Sequence, residues 1–411
     1  MSSQLLGDTT TATGSADYAR LADRFGPILR DIAEAAPSRD RKRVLPFDDV
    51  ARLKAAGFGA VLVPVEEGGA GGGIEDLVRL LIDLAAADPN VAQAFRGHFH
   101  TVHDLVSHPV DTPAHRDFRE RWLGEVTAGR VFANGVTDTA DTLVGRSSVE
   151  VVQEGSTTLI SGQKDYSTGN LYAEWILVLV AKGPEAPPQS IFVPADAPGV
   201  RRDDSWNGFG QRLTASGSTS FDRVPLEPWQ FAPPVAKAHV GDLLQLILLA
   251  VTAGIGRRLA DDLVALVRSR RRVYAHGAAA TPQDDPQILQ VVGEVSAATE
   301  AAETLVVELA RRHDRVEKEL RDSVDADRQG LIAAVYRAQT IVPRLVLGAV
   351  TQAFDALGAS ATDLELGLDR HWRNARTVAS HNPIVYRSRL AGDWLVNGRL
   401  DPFWTVGAVA P

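Results

Sequence analysis

The sequence predicts an α+β fold, and three observations predict it. Apolar residues recur at helical spacing through residues 18–129; residues 131–234 break into short apolar or alternating runs punctuated by Gly and Pro; from residue 235 the helical period returns. Helices stand first and last, with strands between them. Without strand–helix–strand alternation, a Rossmann dinucleotide fold is not expected.

Taken in order, residues 1–17 are polar, rich in Ser, Thr and Gly, and lack the apolar core of a signal peptide; a disordered tail is expected there. An N-terminal α-helical domain over 18–130 follows. Leu21, Phe25, Ile28, Leu29, Ile32 and Ala33 share one helix face. Pro46 opens a second helix with Val50, Leu53 and Ala56 inward and Gly57 as its stop. Glu66–Gly73 is a loop ahead of a helix over Ile74–Ala87, and it lacks the Lys-Ser/Thr ending of a phosphate cradle. In the middle β domain, 131–234, Ser148–Val152 and Thr157–Ile160 flank Glu154-Gly155 as a hairpin. Trp175–Val180, Ser190–Pro194 and Ser218–Val224 are further strands. The C-terminal helix bundle, 235–411, is expected to hold long helices over Leu243–Val273, Pro286–Arg315 and Ala326–Leu357, the last kinked at Pro343.

A chain of 411 residues exceeds one small core, so two or three packed regions are expected. A net charge of −9, with Lys and Arg scattered among Asp and Glu, gives no concentrated basic face, so nucleic acid is not an expected partner. The densest basic cluster, Arg268, Arg270, Arg271 and Arg272, suits a single phosphate. There is no cysteine, which excludes disulfides, thiolate metal sites and a cysteine nucleophile. The apolar run Leu243–Val251 is too short and too interrupted to span a bilayer; a buried helix, no membrane partner and a cytoplasmic location are expected. His98, His100 and His103 raise the question of a metal, but their spacing does not put all three on one helical face, and no acidic cluster accompanies them; no metal is expected. No Gly-x-Ser-x-Gly elbow supports a hydrolase.

Four stretches carry a family resemblance: Arg96-Gly97-His98-Phe99-His100, Phe132-Ala133-Asn134-Gly135, Gly162-Gln163-Lys164-Asp165-Tyr166-Ser167-Thr168-Gly169, and Leu368 through Pro383 with Ser380-His381-Asn382-Pro383 at its end. With the order of domains, they make the chain resemble the acyl-CoA dehydrogenase superfamily from Tyr18 onward, and within it the flavin-dependent monooxygenase branch of sulfur-acquisition oxygenases. The resemblance implies a C-terminal four-helix bundle and a homotetramer built as a dimer of dimers. A dehydrogenase of this layout would carry its catalytic carboxylate near Ser380 to Pro383, where this chain offers His381. Thr137-Asp138 is followed by Thr139-Ala140-Asp141-Thr142 instead of a Gly-Ser loop, and Gly358-Ala359 replaces a Gly-Gly pair that approaches adenine. Both departures favour the shorter FMN over FAD.

The activity implied is two-component oxygenation. A separate NAD(P)H:FMN reductase supplies FMNH2, O2 forms a flavin C4a-hydroperoxide, and a small organosulfur compound accepts an oxygen atom; an amine is the competing substrate. By the same resemblance, Asn134, Thr168 and His381 hold flavin and peroxide, and His98 lines the pocket. Asn134 and Thr168 also stand before glycines as ordinary turn residues would, and His381 stands at a helix break. Tyr166, Trp206 and Trp175 are candidate aromatics beside the ring, with core packing the alternative. Arg271, Arg370 and Ser360 are candidates for the flavin phosphate, Arg271 lent by a neighbouring subunit. Two rivals are an FAD-dependent acyl-CoA dehydrogenase using Asp363, Glu365 or Asp369 as base, and a flavoprotein without chemistry.

Overall fold

The structure, a computed structural model, describes residues 16–144, 146–180, 189–234, 242–320, 325–400 and 408. The tail expected over 1–17 falls almost wholly outside the described residues. In α1 (Ala16–Lys42), Leu21, Phe25, Leu29 and Ile32 form the buried stripe that the spacing predicts. α2 (Phe47–Ala55) starts after Pro46 and buries Val50 and Leu53. The Glu66–Gly73 segment is a packed loop, and α3 (Ile74–Ala87) behind it is buried on most of its circumference. That burial makes α3 the shared wall between the N-terminal helices and the C-terminal bundle. α4 (Pro89–Ala94) is capped by Asp88, whose side chain accepts from Asn90 N at 2.9 Å. α5 (Arg96–Val106) follows at once, and α6 (Pro113–Thr127) closes this region.

The middle region holds two sheets rather than one. β1 (Phe132–Gly135), β4 (Trp175–Val180) and β5 (Gln189–Pro194) form the first, with β1 parallel to β4. β2 (Val149–Glu154), β3 (Thr157–Lys164), β7 (Thr219–Leu226) and β6 (Val200–Arg202) form the second, in the order β2-β3-β7-β6, all antiparallel. The expected hairpin is β2–β3. The three-residue β6 was not expected, because so short a run carries no readable alternation.

In the C-terminal region α7 (Asp242–Ser269), α8 (Pro286–Leu320) and α9 (Asp325–Leu357) pack on one another. α10 (Asp369–Ala379) lies against α7 and α9 as a fourth member, and α11 (Ile384–Asn397) adds to α9. α9 continues through Pro343, the position of the expected kink, as one helix. α7 and α9 are long and apolar enough to cross a membrane by length and composition, contrary to the expectation from the short run Leu243–Val251. Yet 78% of the apolar window of α7 is buried inside the molecule, as a core helix requires. One apolar core runs from α1 through the first sheet into α7–α9. It absorbs Leu331, Val335, Val342 and Val346 of α9. Exposed apolar residues among the described ones include Ile341 on α9 and Val385, Tyr386, Leu395 and Val396 on α11.

Candidate active site

The site grows from the start of α5. Gly97 lets β1 approach the helix: a Cβ at this position would lie 2.9 Å from the Cβ of Asn134, closer than side chains pack. Asn134 N donates to Thr168 O at 3.3 Å, which brings the second motif against the third. The Tyr166–Gly169 turn is docked in turn on α4. Gly169 has φ 81°, and a Cβ there would stand 2.8 Å from Ala94 O. Thr168 is buried, and its hydroxyl shares a 2.9 Å hydrogen bond with Ser216, which shares one of 2.7 Å with Thr214. The Asn134 side chain is half-buried, and no hydrogen bond engages its amide among the described residues.

The fourth motif arrives from the opposite side. Ser380–Pro383 is the turn between α10 and α11. Buried Asn382 fastens it by donating to Gln245 Oε1, which also accepts from Gln339 Nε2 at 2.8 Å. His381 then meets Arg96, whose Nη1 lies 2.9 Å from His381 Nε2. A guanidinium only donates, so Nε2 is the acceptor and the ring proton sits on Nδ1. Arg96 is 3% exposed, its Nε donates to Leu244 O at 3.1 Å, and no carboxylate pairs with it among the described residues. Burial lowers its pKa to about 10. His381 keeps an exposed face while protein packs around its ring. That packing, and then the Arg96 charge, push its pKa down to about 3. At neutral pH His381 is therefore a neutral N–H donor. Arg96 itself was missed, although it opens the first motif.

The remaining candidates separate. His98 was expected to line the pocket, but it is a core residue, 0% exposed. Its Nε2 donates to Gly59 O at 2.9 Å and its Nδ1 accepts from Phe132 N at 3.3 Å, so it staples α5 to β1. Burial drives its pKa to about 4. Trp175 is also core, packed edge-on to Trp122 at 4.8 Å. Tyr166 and Trp206 stay together as an edge-to-face pair, 5.9 Å apart, with Tyr166 58% exposed beside Thr168. The loop carrying Trp206 reaches α10, where Gln211 N donates to Asn374 Oδ1 at 2.7 Å. Arg370 was offered for phosphate and is committed elsewhere: its Nη2 binds Asp262 at 2.5 Å and its Nη1 donates to Gly367 O at 2.9 Å. Arg271 and Ser360 are both exposed. Arg270, a member of the basic cluster read as suited to a phosphate, instead donates to Leu357 O and so ties the Arg271 segment to the end of α9, next to Ser360.

Comparison with known proteins fits this geometry. The model described as acyl-CoA dehydrogenase, N-terminal domain, matches residues 27–130, and that described as acyl-CoA dehydrogenase, C-terminal domain, matches residues 246–385. The chain belongs to the acyl-CoA dehydrogenase family. The probable FMNH2-dependent monooxygenase SfnC of Pseudomonas putida is 25% identical over 381 residues, 90% of this chain and 93% of that protein. The dibenzothiophene monooxygenase of Rhodococcus qingshengii is 25% identical over 394 residues, with the same two coverages of 90% and 93%. The crystal structure of FMN-bound TdsC from Paenibacillus sp. A11-2 shares the fold at a TM-score of 0.82 and 23% identity, over 93% of this chain and 98% of that one.

A member of this family that abstracts a proton needs a carboxylate in the cleft, and the three upstream candidates are engaged elsewhere. Asp363 Oδ1 accepts from Glu365 N at 2.8 Å, Glu365 pairs with Arg41 at 3.1 Å, and Asp369 pairs with Arg373 at 2.7 Å. Among the described residues, the four motifs offer an amide, a hydroxyl chain, a neutral imidazole and one guanidinium. That donor set suits the electron-rich edge of a flavin and oxygen-centred groups beside it.

Proposed function

We propose that this protein is a two-component flavin-dependent monooxygenase that takes FMNH2 from a separate NAD(P)H:FMN reductase and, with O2, oxygenates a small organosulfur compound. The observation that carries the reading is the Arg96–His381 pair. It offers donors, with no carboxylate paired to it among the described residues, in the segment where the family resemblance expects a dehydrogenase's carboxylate. Bound reduced flavin supplies oxygen activation through a C4a-hydroperoxide.

The residues of the chain do the rest. Asn134 and Thr168 offer an amide and a hydroxyl to the ring edge, and Ser216 and Thr214 orient the Thr168 hydroxyl so that it donates on demand. Arg96 occupies Nε2 and keeps His381 neutral. A neutral donor stabilises an oxygen-centred charge without discharging it early, and such donors act strongly in a dry site. The Tyr166–Trp206 pair supplies an aromatic wall. Arg271 and Ser360, at one end of the bundle, would hold the flavin phosphate of a neighbouring subunit in a homotetramer. A cytoplasmic location belongs to the same reading, since FMNH2 must come from a reductase fed by nicotinamide.

The test is a panel of sulfides, sulfoxides, sulfones, sulfinates and amines, assayed with FMNH2 and isotopically labelled O2. Product mass carrying one labelled oxygen on sulfur supports the proposal. Labelled oxygen on nitrogen alone replaces the sulfur substrate with an amine. Anaerobic bleaching of a bound flavin by an acyl-CoA, with no labelled product, overturns it in favour of a dehydrogenase.

A further inference from the structure

We propose that His103, His313 and Glu317 bind one divalent transition-metal ion of the zinc class, fastening α5 to α8. His313 and Glu317 are four apart on α8 and so share one face of that helix. His103 approaches them from α5. One ligand atom from each of the three residues can be chosen so that all lie within 4.8 Å of one another. His313 Nδ1 is 3.4 Å from Glu317 Oε1, His103 Nε2 touches the same oxygen, and the two imidazole centroids stand 5.6 Å apart at 74°. Both histidines are buried, at 6% and 1% exposure, and Glu317 is half-buried, so solvent competes little.

The His313–Glu317 separation fits the chemistry, and His103 Nε2, which hydrogen-bonds the same Glu317 oxygen here, would draw back from it to ligate. Zinc bonds nitrogen and oxygen ligands at about 2.0–2.2 Å, which sets neighbouring ligand atoms of a tetrahedron roughly 3.3–3.5 Å apart. Two imidazoles with one carboxylate favour zinc and its transition-metal neighbours over Mg2+ or Ca2+, which take mostly oxygen. The fourth position is left to water. This cluster is not part of the cleft. Its consequence there is mechanical: His103 lies two turns along α5 from Arg96, about 10 Å along the axis. An ion holding the far end of α5 fixes the helix whose first turn presents Arg96 to His381. The inference does not depend on the flavin reading.

The test uses the full chain, stripped with a chelator and titrated with zinc against a chromophoric competitor, then with Co2+ followed by visible absorption. The expected result is one ion per chain, a Co2+ spectrum of tetrahedral intensity, and a raised melting temperature in zinc. Glu317→Gln keeps the shape and hydrogen-bonding reach of the side chain, and His313→Asn removes an imidazole. Each should weaken zinc binding by at least about tenfold, the lower bound for disturbing a metal shell. Zinc that fails to bind stoichiometrically to the wild type overturns the proposal and leaves a hydrogen-bonded His–Glu–His cluster. Unchanged affinity in two folded variants overturns it as well. Should either variant fail to fold, His103→Gln takes its place, and the wild-type stoichiometry and cobalt spectrum still decide.

Discussion

Arg370 and His371 converge on a carboxylate, whereas Arg96 and His381 converge on each other with none. In the first pair Asp262 Oδ2 takes Arg370 at 2.5 Å and His371 Nε2 at 2.9 Å, while Oδ1 takes Arg258 at 2.8 Å. Burial works to raise the Asp262 pKa, but His371 and the two guanidinium groups outweigh it and hold the acid far below its usual range. The His371 ring, buried and beside Arg370, is pushed to about 4. In this knot both guanidinium groups and the imidazole share one carboxylate. The Arg96–His381 pair uses the same two side chains and leaves the positive charge for something else to meet. The same residue types thus build a brace between helices in one place and a receptive wall in the other, and a single carboxylate makes the difference.

The sharpest way to break this contrast is to remove each member and ask what is lost. His381→Ala should lower FMNH2-dependent product formation by about 10²–10³-fold, the usual worth of one positioned donor to a developing oxygen-centred charge, with hydrogen peroxide released in place of product. Arg96→Met should be the telling companion. Without the cation the His381 pKa should rise from about 3 while burial still holds it below 6.5, so the acid limb of the pH profile of oxygenation should move up relative to the wild type. Identical pH profiles would deny that Arg96 sets the state of the ring.

Asp262→Asn should act on stability instead. Breaking one partner of a buried ion network costs about 3–5 kcal/mol, readable as a drop in unfolding free energy in urea, with oxygenation per folded molecule little changed. Inactivity at wild-type stability would make the two pairs equivalent and end the contrast. Acid should expose the same groups. His98, His371 and His381 have pKa values lowered from 6.5 to about 4, 4 and 3. As pH falls below 6.5 the unfolded chain takes up protons that the folded chain refuses, and stability declines toward pH 4. The Asp262 contribution, complete above its ordinary value of 3.8, is lost only at still lower pH, as its depressed folded pKa is crossed. Melting temperatures between pH 7 and 4 check the first stage; a flat curve there would mean these rings take up protons in the folded protein.

Much of the molecule was legible because its signals are local. Helical spacing located α1, α3 and α7–α9, and Gly/Pro punctuation located the longer strands. What escaped depends on partners far along the chain. Arg96 is separated from His381 by 285 residues, and His103 from Glu317 by 214. Periodicity shows which residues share a face and is silent on which face meets which. His98 looked like a cleft residue for the same reason: nothing local revealed that Gly59 and Phe132 would take both ring nitrogens. Arg370 looked free because its carboxylate sits on another helix, 108 residues away.

Gly97→Ala probes the contact that joins the two halves of the cleft. The added Cβ would press on Asn134 at 2.9 Å. Overpacking of this kind costs about 1–3 kcal/mol, and here the strain falls on β1 rather than on the Asp262 knot. The expected outcome is a modest loss of thermal stability with a larger relative loss of oxygenation, because Asn134 is displaced. Equal losses in both would place Asn134 in the scaffold.

The smallest effect expected is at Thr168. Its hydroxyl is one neutral partner in the chain to Ser216 and Thr214, so Thr168→Ala should lower product formation by about fivefold, the equivalent of ~1 kcal/mol for one hydrogen bond. Thr168→Ser should restore it, since the hydroxyl and its 2.9 Å partner are kept while only a methyl is lost. The pair of variants separates chemistry from packing: a hydroxyl aimed at the reacting ring is rescued by serine, whereas a packing threonine is not. Raised hydrogen peroxide release in the alanine variant, relieved in the serine variant, would tie Thr168 to the same task as His381. Failure of serine to rescue would move Thr168 to the closed, structural side of the contrast, beside Arg370.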